Sequence, residues 1–207
     1  MRATPKTSEK QKSRSLLQQI EGMNPHHLFL YMSVMGSALV FGYLLFIFNI
    51  SRGEELSIGF PNAFYFSTVL IFISNLSIRR VISQFKKENV HKLVILMGFT
   101  LMMSISFLLS LLVAWEQLYA AGFRIAGSAF GSYAFMITGL FAFHILIAIF
   151  FLFSQFFAYV RATRDPVKQL ILTTNPYQMV RLKMLVTCWN FLDIVWLAIA
   201  INFFIVL

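Results

Sequence analysis

Two ionisable side chains stand deep inside apolar runs of this 207-residue sequence: Asp193 within WNFLDIVWL (189–197) and His144 within GLFAFHILIA (139–148). A carboxylate and an imidazole placed together can share a hydrogen bond or pass a proton. An aspartate at the centre of a membrane helix costs about 2.5 to 3.5 kcal/mol on insertion scales, so its side chain should face protein and find a partner. His144 is the candidate. Asp193 lies ten residues past Lys183, roughly 15 Å at the helical rise, and His144 lies fourteen residues past Phe130, roughly 20 Å. With Lys183 and Phe130 at opposite surfaces of a core about 30 Å thick, the two reach similar depths. The sequence therefore predicts a hydrogen bond between Asp193 and His144 on consecutive antiparallel helices. The simpler alternative satisfies each one separately, through groups such as Thr138 or Asn190. The pair would lock packing. A proton relay would need polar residues reaching both faces, and the sequence shows no such chain.

Glu116 closes the third apolar run in WEQLYAAGF (115–123), where a carboxylate is ordinarily just solvated. The single cysteine, Cys188, can form neither an internal disulfide nor a thiolate cluster, and is expected to be a small buried apolar residue. The patterns GxGxxG, GxxxxGK[ST], HExxH, CxxC and GxSxG are absent. Of the four histidines, His26, His27 and His91 stand at span ends and only His144 lies deep. Neither a haem with two axial imidazoles nor a copper site of several histidines can be assembled from one deep histidine. This chain alone is expected to hold no catalytic centre, metal or cofactor.

The elements that must position these residues follow from composition. Hydrophobic residues make up 58% and charged residues 12%, with mean hydropathy +0.75, whereas a soluble domain is about half apolar and a quarter charged. Five apolar stretches are long enough to cross a membrane: 28–48, 61–82, 93–115, 130–159 and 185–207. They do not alternate in polarity as barrel strands do, so they are read as helices. Asn24-Pro25 and Asn175-Pro176 each place an N-cap before a proline at the first helical position, and Pro61 starts the second span in the same way. Small residues at Gly127, Gly131 and Gly139, with Ala134, Thr138 and Ala142, allow close helix approach along the fourth span. The predicted fold is an all-α polytopic bundle of five transmembrane helices, residues 25–207, behind a basic cytoplasmic tail, residues 1–24, that is mobile or lies at the surface. No small-residue cleavage site follows the first apolar run, which argues against a removable signal peptide.

The net charge of +9 does not indicate nucleic acid. With the tail inside, the inner segments hold Arg2, Lys6, Lys10, Lys12 and Arg14, then Arg79, Arg80, Lys86, Lys87 and Lys92, then Arg161, Arg164, Lys168, Arg181 and Lys183. The outer segments hold Arg52 and Arg124 alone. This asymmetry predicts a cytoplasmic N-terminus and an outer C-terminus, and an affinity for anionic lipid at the inner surface.

GSYAFMITGLFAFHILIA (131–148), followed about forty residues later by WNFLDIVWL, resembles subunit III of the haem-copper terminal oxidases. That family typically writes the two stretches as GSTFFVLTGFHGLHVIIG and WHFVDVVWL. AWEQLYAAGFRI (114–125) and the weaker FPNAFYFSTVLIFISNLSI (60–78) are similar to the family's preceding segments. The likeness runs from Leu28 to Leu207, to the short five-helix bacterial form, and is most specific in the last two helices. It carries over Glu116, Gly131, Thr138, Gly139, His144, Trp189, Phe191, Asp193, Val195 and Trp196 as motif residues of the bundle core. Three positions depart: Phe141 and Asn190 replace family histidines, and Gly36 stands where an acidic residue is usual. Any role resting on that carboxylate therefore does not carry over. Longer members have two further N-terminal helices that help form a lipid-holding cleft, which also does not carry over.

The resemblance implies a non-redox accessory subunit of a proton-pumping oxygen reductase in the bacterial inner membrane. Subunit I would hold the haems and copper, and subunit II would commonly take electrons from cytochrome c. This chain would pack on subunit I, bind phospholipid, and sustain proton uptake and turnover. A quinol oxidase, or the subunit III-like protein of a nitric oxide reductase, would share these motifs. A small transporter coupling through Asp193 and His144 is the alternative of another class, but it would call for internal repeats or interrupted helices, and neither is evident.

Overall fold

The computed structural model describes residues 33–34, 36–50, 62–124 and 129–206. Six helices follow in order: α1 (Ala38–Ile50), α2 (Asn62–Lys86), α3 (Val90–Ala120), α4 (Ala129–Ala162), α5 (Pro166–Thr174) and α6 (Pro176–Val206). The helices α2 and α3, with Gly131–Ala162 and Pro176–Ile205 of α4 and α6, are long and apolar enough to cross a membrane. The predicted first span, 28–48, is described only in part, through α1 and a few residues before it. Among the described residues four helices are long enough to cross, and the fifth expected span is described only in part. The basic tail 1–24, the Asn24-Pro25 start, Pro61, Arg52 and Gly127 lie outside the described residues.

The helices are longer than the apolar runs. The 31 residues of α3 reach about 46 Å at the helical rise, well beyond a hydrocarbon core about 30 Å thick. Lys92, Arg181 and Lys183, placed by the sequence reading outside the spans, therefore sit on helix ends, and Arg79 and Arg80, within the expected span 61–82, lie in the last two turns of α2. The sequence also left 160–184 without a separate element. The structure places α5 there, and begins α6 at Pro176, as the Asn175-Pro176 pair predicted; the Asn175 side chain accepts from Tyr177 N at 2.9 Å.

Three residues, 87–89, fold α2 back on α3. Glu88 N donates to Phe85 O and Asn89 N to Gln84 O, each at 3.0 Å, closing the end of α2 with Glu88 in the left-handed region at φ 55°. Asn89 at once caps α3 by accepting from Lys92 N at 3.1 Å. The far end of α3 closes in the same way, on Gly122 at φ 93°, with Phe123 N donating to Leu118 O at 3.1 Å. Glycine adopts that conformation without a Cβ penalty.

Cross-helix contacts fix the register. Ser67 Oγ meets Ser110 Oγ at 2.8 Å near one end of the α2–α3 pair, and Ser77 Oγ donates to Leu96 O at 3.2 Å nearer the other. On α4 and α6, Phe141 stacks on Trp196 with centroids 5.0 Å apart. The core is aromatic: Phe107 stands edge-on to both Phe141 and Trp196, and Phe64 packs on Trp196 and Phe203. Rings packed edge to face contribute about 0.5 to 1.5 kcal/mol each beyond their buried area. The outer faces are apolar too, as with Phe66, Met102 and Phe150, so the covering solvent must be lipid rather than water.

Among the described glycines the closest neighbour is at Gly98, where an added Cβ would stand 3.2 Å from Phe156 Cε2 of α4. Gly139 of the predicted small-residue face leaves 3.9 Å to Trp115 Cζ2, an ordinary contact.

Candidate functional site

The last-span motif forms one seam with α2. Trp189 Nε1 donates to Ser74 Oγ at 3.0 Å, Asp193 Oδ2 accepts from Asn75 Nδ2 at 2.6 Å, and Trp196 Nε1 donates to Thr68 Oγ1 at 3.1 Å. Trp189, Asp193 and Trp196 follow one another at the spacing of a single helical face; of their partners on α2, Thr68 and Asn75 stand seven residues apart and Ser74 adjoins Asn75. Phe191, Val195 and Leu192 fill the apolar space around them. At the end of the seam nearer the α2–α3 turn, Arg79 Nε is shared between Asn75 Oδ1 at 2.9 Å and Asn190 Oδ1 at 2.6 Å. A hydrogen-bonded chain therefore runs from Arg79 through Asn75 to the buried carboxylate. Asp193 Oδ1, itself buried, has no hydrogen-bond partner among the described residues.

The predicted bond between Asp193 and His144 does not form. His144 Nδ1 bonds to Leu140 O of its own helix at 2.8 Å, and its ring lies edge-on to Phe41 of α1 at 5.2 Å. The depth argument holds, because the register that sets Phe141 beside Trp196 brings His144 level with Asp193. The rotation differs: His144 turns toward α1 and Asp193 toward α2. Each bonds separately, Asp193 through one oxygen only, though not through Thr138, and Asn190 serves Arg79 rather than Asp193.

Of the other motif residues, Thr138 is fully buried, donates to Ala134 O at 2.8 Å and accepts from Trp115 Nε1 at 3.0 Å, latching α3 to α4. Gly131 is buried at the start of α4. Glu116 is exposed and stands outside the core, contrary to its grouping with the core residues. Its neighbour Gln117 makes the interhelical contact instead, with Oε1 accepting from Ala63 N at 3.3 Å. At Gly36 the backbone is exposed, with open space where a side chain would begin. Cys188 is buried and free, as expected.

A second polar contact joins α4 to α6 near the C-terminal end of α4. With its amide oxygen turned to the guanidinium, Gln155 accepts from Arg181 Nη2 and from Arg181 Nε at 3.1 Å. Sequence reasoning missed Ser74, Asn75, Arg79 and Gln155. The signal was there: Thr68, Asn75 and Arg79 repeat at helical spacing within an otherwise apolar span.

Comparison with known proteins agrees with the geometry. The family model described as cytochrome c oxidase subunit III matches residues 58–206, more than half of the chain and all of the seam. The chain belongs to the cytochrome c oxidase subunit III family. It is 26% identical over 147 residues to cytochrome c oxidase subunit 3 of Cyanidium caldarium, a match covering 68% of this chain and 47% of that protein. It is 28% identical over 102 residues to cytochrome c oxidase subunit 3 of Schizophyllum commune, covering 49% of this chain and 34% of that protein. The chain thus spans half or less of the length of these curated relatives.

Proposed function

We propose that this chain is a non-redox accessory subunit of a proton-pumping haem-copper oxygen reductase. It packs on subunit I, with subunit II nearby, in a bacterial cytoplasmic membrane, its N-terminus cytoplasmic and its C-terminus outside. The family match across the seam carries the reading. Trp189, Asp193 and Trp196 are all engaged in holding α6 to α2, which suits a part that supports assembly, proton uptake and sustained turnover rather than performing the chemistry. The clustering of Arg79, Arg80, Arg161, Arg181 and Lys183 at the ends of α2, α4 and α6 supports that orientation through the positive-inside preference.

The test is a mild-detergent purification through an N-terminal tag, with the copurifying chains identified and a reduced-minus-oxidised visible spectrum taken. Recovery of a-type haem on a many-histidine partner is the expected result; b- and c-type haem alone would assign the chain to a nitric oxide reductase, and a haem-free single species would refute the accessory role. In the intact complex, Asp193→Leu should shorten sustained turnover more than it lowers the initial rate of oxygen reduction. Immediate complete loss of that rate, with the complex assembled, would make Asp193 a catalytic participant.

A further inference from the structure

One cation of the bundle is tethered well inside the end of its helix. Arg79 stands seven residues before Lys86, the last residue of α2, about 10 Å at the helical rise. With a hydrocarbon core about 30 Å thick centred on the 25 residues of α2, it lies about 7 Å within the core. Long basic side chains at such a depth commonly reach out toward the headgroups. Arg79 does the opposite: its Nε turns back one helical turn to Asn75 Oδ1 at 2.9 Å and across to Asn190 Oδ1 at 2.6 Å. Arg80, exposed beside it, has no such tether among the described residues and can follow its own stem outward.

The guanidinium fork is only partly used. Both bonds are made by Nε, the residue is exposed, and its two Nη groups meet no acceptor among the described residues. No carboxylate of the described residues stands within ion-pair distance of it. Ionisable groups at membrane depth face protein and pair, because a charge bare to acyl chains is costly.

The surroundings say what covers it. Tyr65, Val69, Phe72 and Leu76, each about half exposed, lead to Arg79 along one face of α2 at alternating intervals of four and three. That spacing is the one by which a helix packs along another. Beside this row α6 exposes Ile194 and Ile201. The two helices meet at one end through Tyr65 and Phe204, ring centroids 6.5 Å apart, and at the other through Arg79 and Asn190. A headgroup phosphate would have to be drawn into the core to reach a guanidinium held there, whereas a helix laid along the row brings an acceptor at any depth. A carboxylate fits the two Nη groups best, since it can take both in parallel.

We propose that the exposed α2–α6 face docks one transmembrane helix of a partner chain, whose aspartate or glutamate pairs with the outward edge of Arg79. This docking rests on the chain being one subunit of a membrane complex, and adds to that reading the face and the chemistry of the contact.

The test places a photocrosslinking benzophenone residue at Leu76 of the full chain in its native membranes and maps the captured peptide by mass spectrometry. The expected product is a membrane helix of a copurifying chain with an aspartate or glutamate level with Arg79, not captured from Phe150 of α4. Losing one side of a buried charge pair weakens association severely, so Arg79→Gln should lower the captured fraction about tenfold or more. Changing the mapped carboxylate to its amide should lower it as far, and the two changes together no further. Asn190→Ala removes one tether and leaves the guanidinium, and should stay within about threefold; a loss equal to that of Arg79→Gln would reduce Arg79 to a part of the α2–α6 seam and overturn the docking. Capture of a helix without a carboxylate, of phospholipid alone, or of this chain's own residues 1–32, which include Glu9 and Glu21, would overturn it as well. Partners that copurify with a-type haem but are not captured from Leu76 would overturn this face and leave the accessory role standing; if no chain copurifies, both fall.

Discussion

Removing Asn75 should cost more than neutralising the carboxylate it serves. In the native seam, Asn75 Nδ2 gives Asp193 Oδ2 its bond at 2.6 Å, and Asp193 Oδ1 has none. Asn75→Ala leaves a buried carboxylate with both oxygens unmet and takes an acceptor from Arg79 as well. Hydrogen bonds to charged groups are worth about 1.5 to 3 kcal/mol net, and an orphaned buried group bears its full desolvation cost. Side-chain bonds within membrane bundles average only about 0.6 kcal/mol and reach about 1.7. The orphaning decides between them, and we expect about 2 to 3 kcal/mol for Asn75→Ala. Asp193→Asn keeps one oxygen for Asn75 and removes the charge, and should cost less than about 1 kcal/mol. The assay is reversible unfolding of the purified protein in an SDS titration, followed by the fluorescence of Trp189 and Trp196, which flank the contact. A cycle through Asn75→Ala, Asp193→Ala and the double variant should give a coupling of at least about 1.5 kcal/mol. Coupling below about 0.5 kcal/mol, or Asp193→Asn as damaging as Asn75→Ala, would show that the bond does not hold the seam.

Glu88→Gly should stabilise the protein by about 0.5 to 1 kcal/mol in the same titration, because a left-handed residue with a Cβ costs about 1 to 2 kcal/mol and the added chain freedom of glycine returns only part of it. Gly98→Leu should cost about 1 to 3 kcal/mol by forcing Phe156 aside, whereas Gly139→Ala, with ordinary contact distance, should be neutral or gain up to about 1 kcal/mol from helix propensity. Equal effects at the two glycines would refute the assignment of the close approach. At α5, the Lys168 hydrogen bonds hold the Asp165 carboxyl below the usual carboxylate range. Its folded-state value is depressed, so the cap is complete above the unfolded-state value and is lost as pH falls through the folded one. Hydrogen exchange of α5 should therefore accelerate in acid, while Asp165→Asn, itself a good cap, should show a flatter pH response. An unchanged acid response in that variant would place the titrating group elsewhere.

Depth was legible in the sequence and rotation was not. Counting residues from Lys183 and Phe130 put Asp193 and His144 at one level, and the α4–α6 register agrees. Depth depends only on helical rise and on where the polar ends fall, both of which are local. Rotation depends on which neighbour fills each face, and α6 has three large ones. Trp189, Asp193 and Trp196 turn to α2 because α2 presents Ser74, Asn75 and Thr68 as partners there, while His144 finds its bond within its own turn. The same distinction explains α5. Its apolar residues are too few to be read as a span, and only the Asp165-Pro166 cap at its start marks it. The helix ends were misplaced because apolar runs record the hydrocarbon core, while backbone hydrogen bonding continues through the headgroup layer.

Asn190 and Arg79 show how a departure from a motif can be read physically. The resemblance writes histidine at position 190, yet here the side-chain amide oxygen accepts from Arg79, and the same guanidinium polarises Asn75 toward Asp193. The aspartate can be kept in an apolar helix because a cation near the end of α2 reaches it through one amide, without being buried beside it. An ion pair made directly at that depth would desolvate two charges, at a cost that attraction alone seldom offsets. Placing the cation near the surface and an amide between avoids half of that cost. The arrangement fixes α6 against α2 in rotation as well as depth, since a slip of one residue in either helix would part all three motif bonds together.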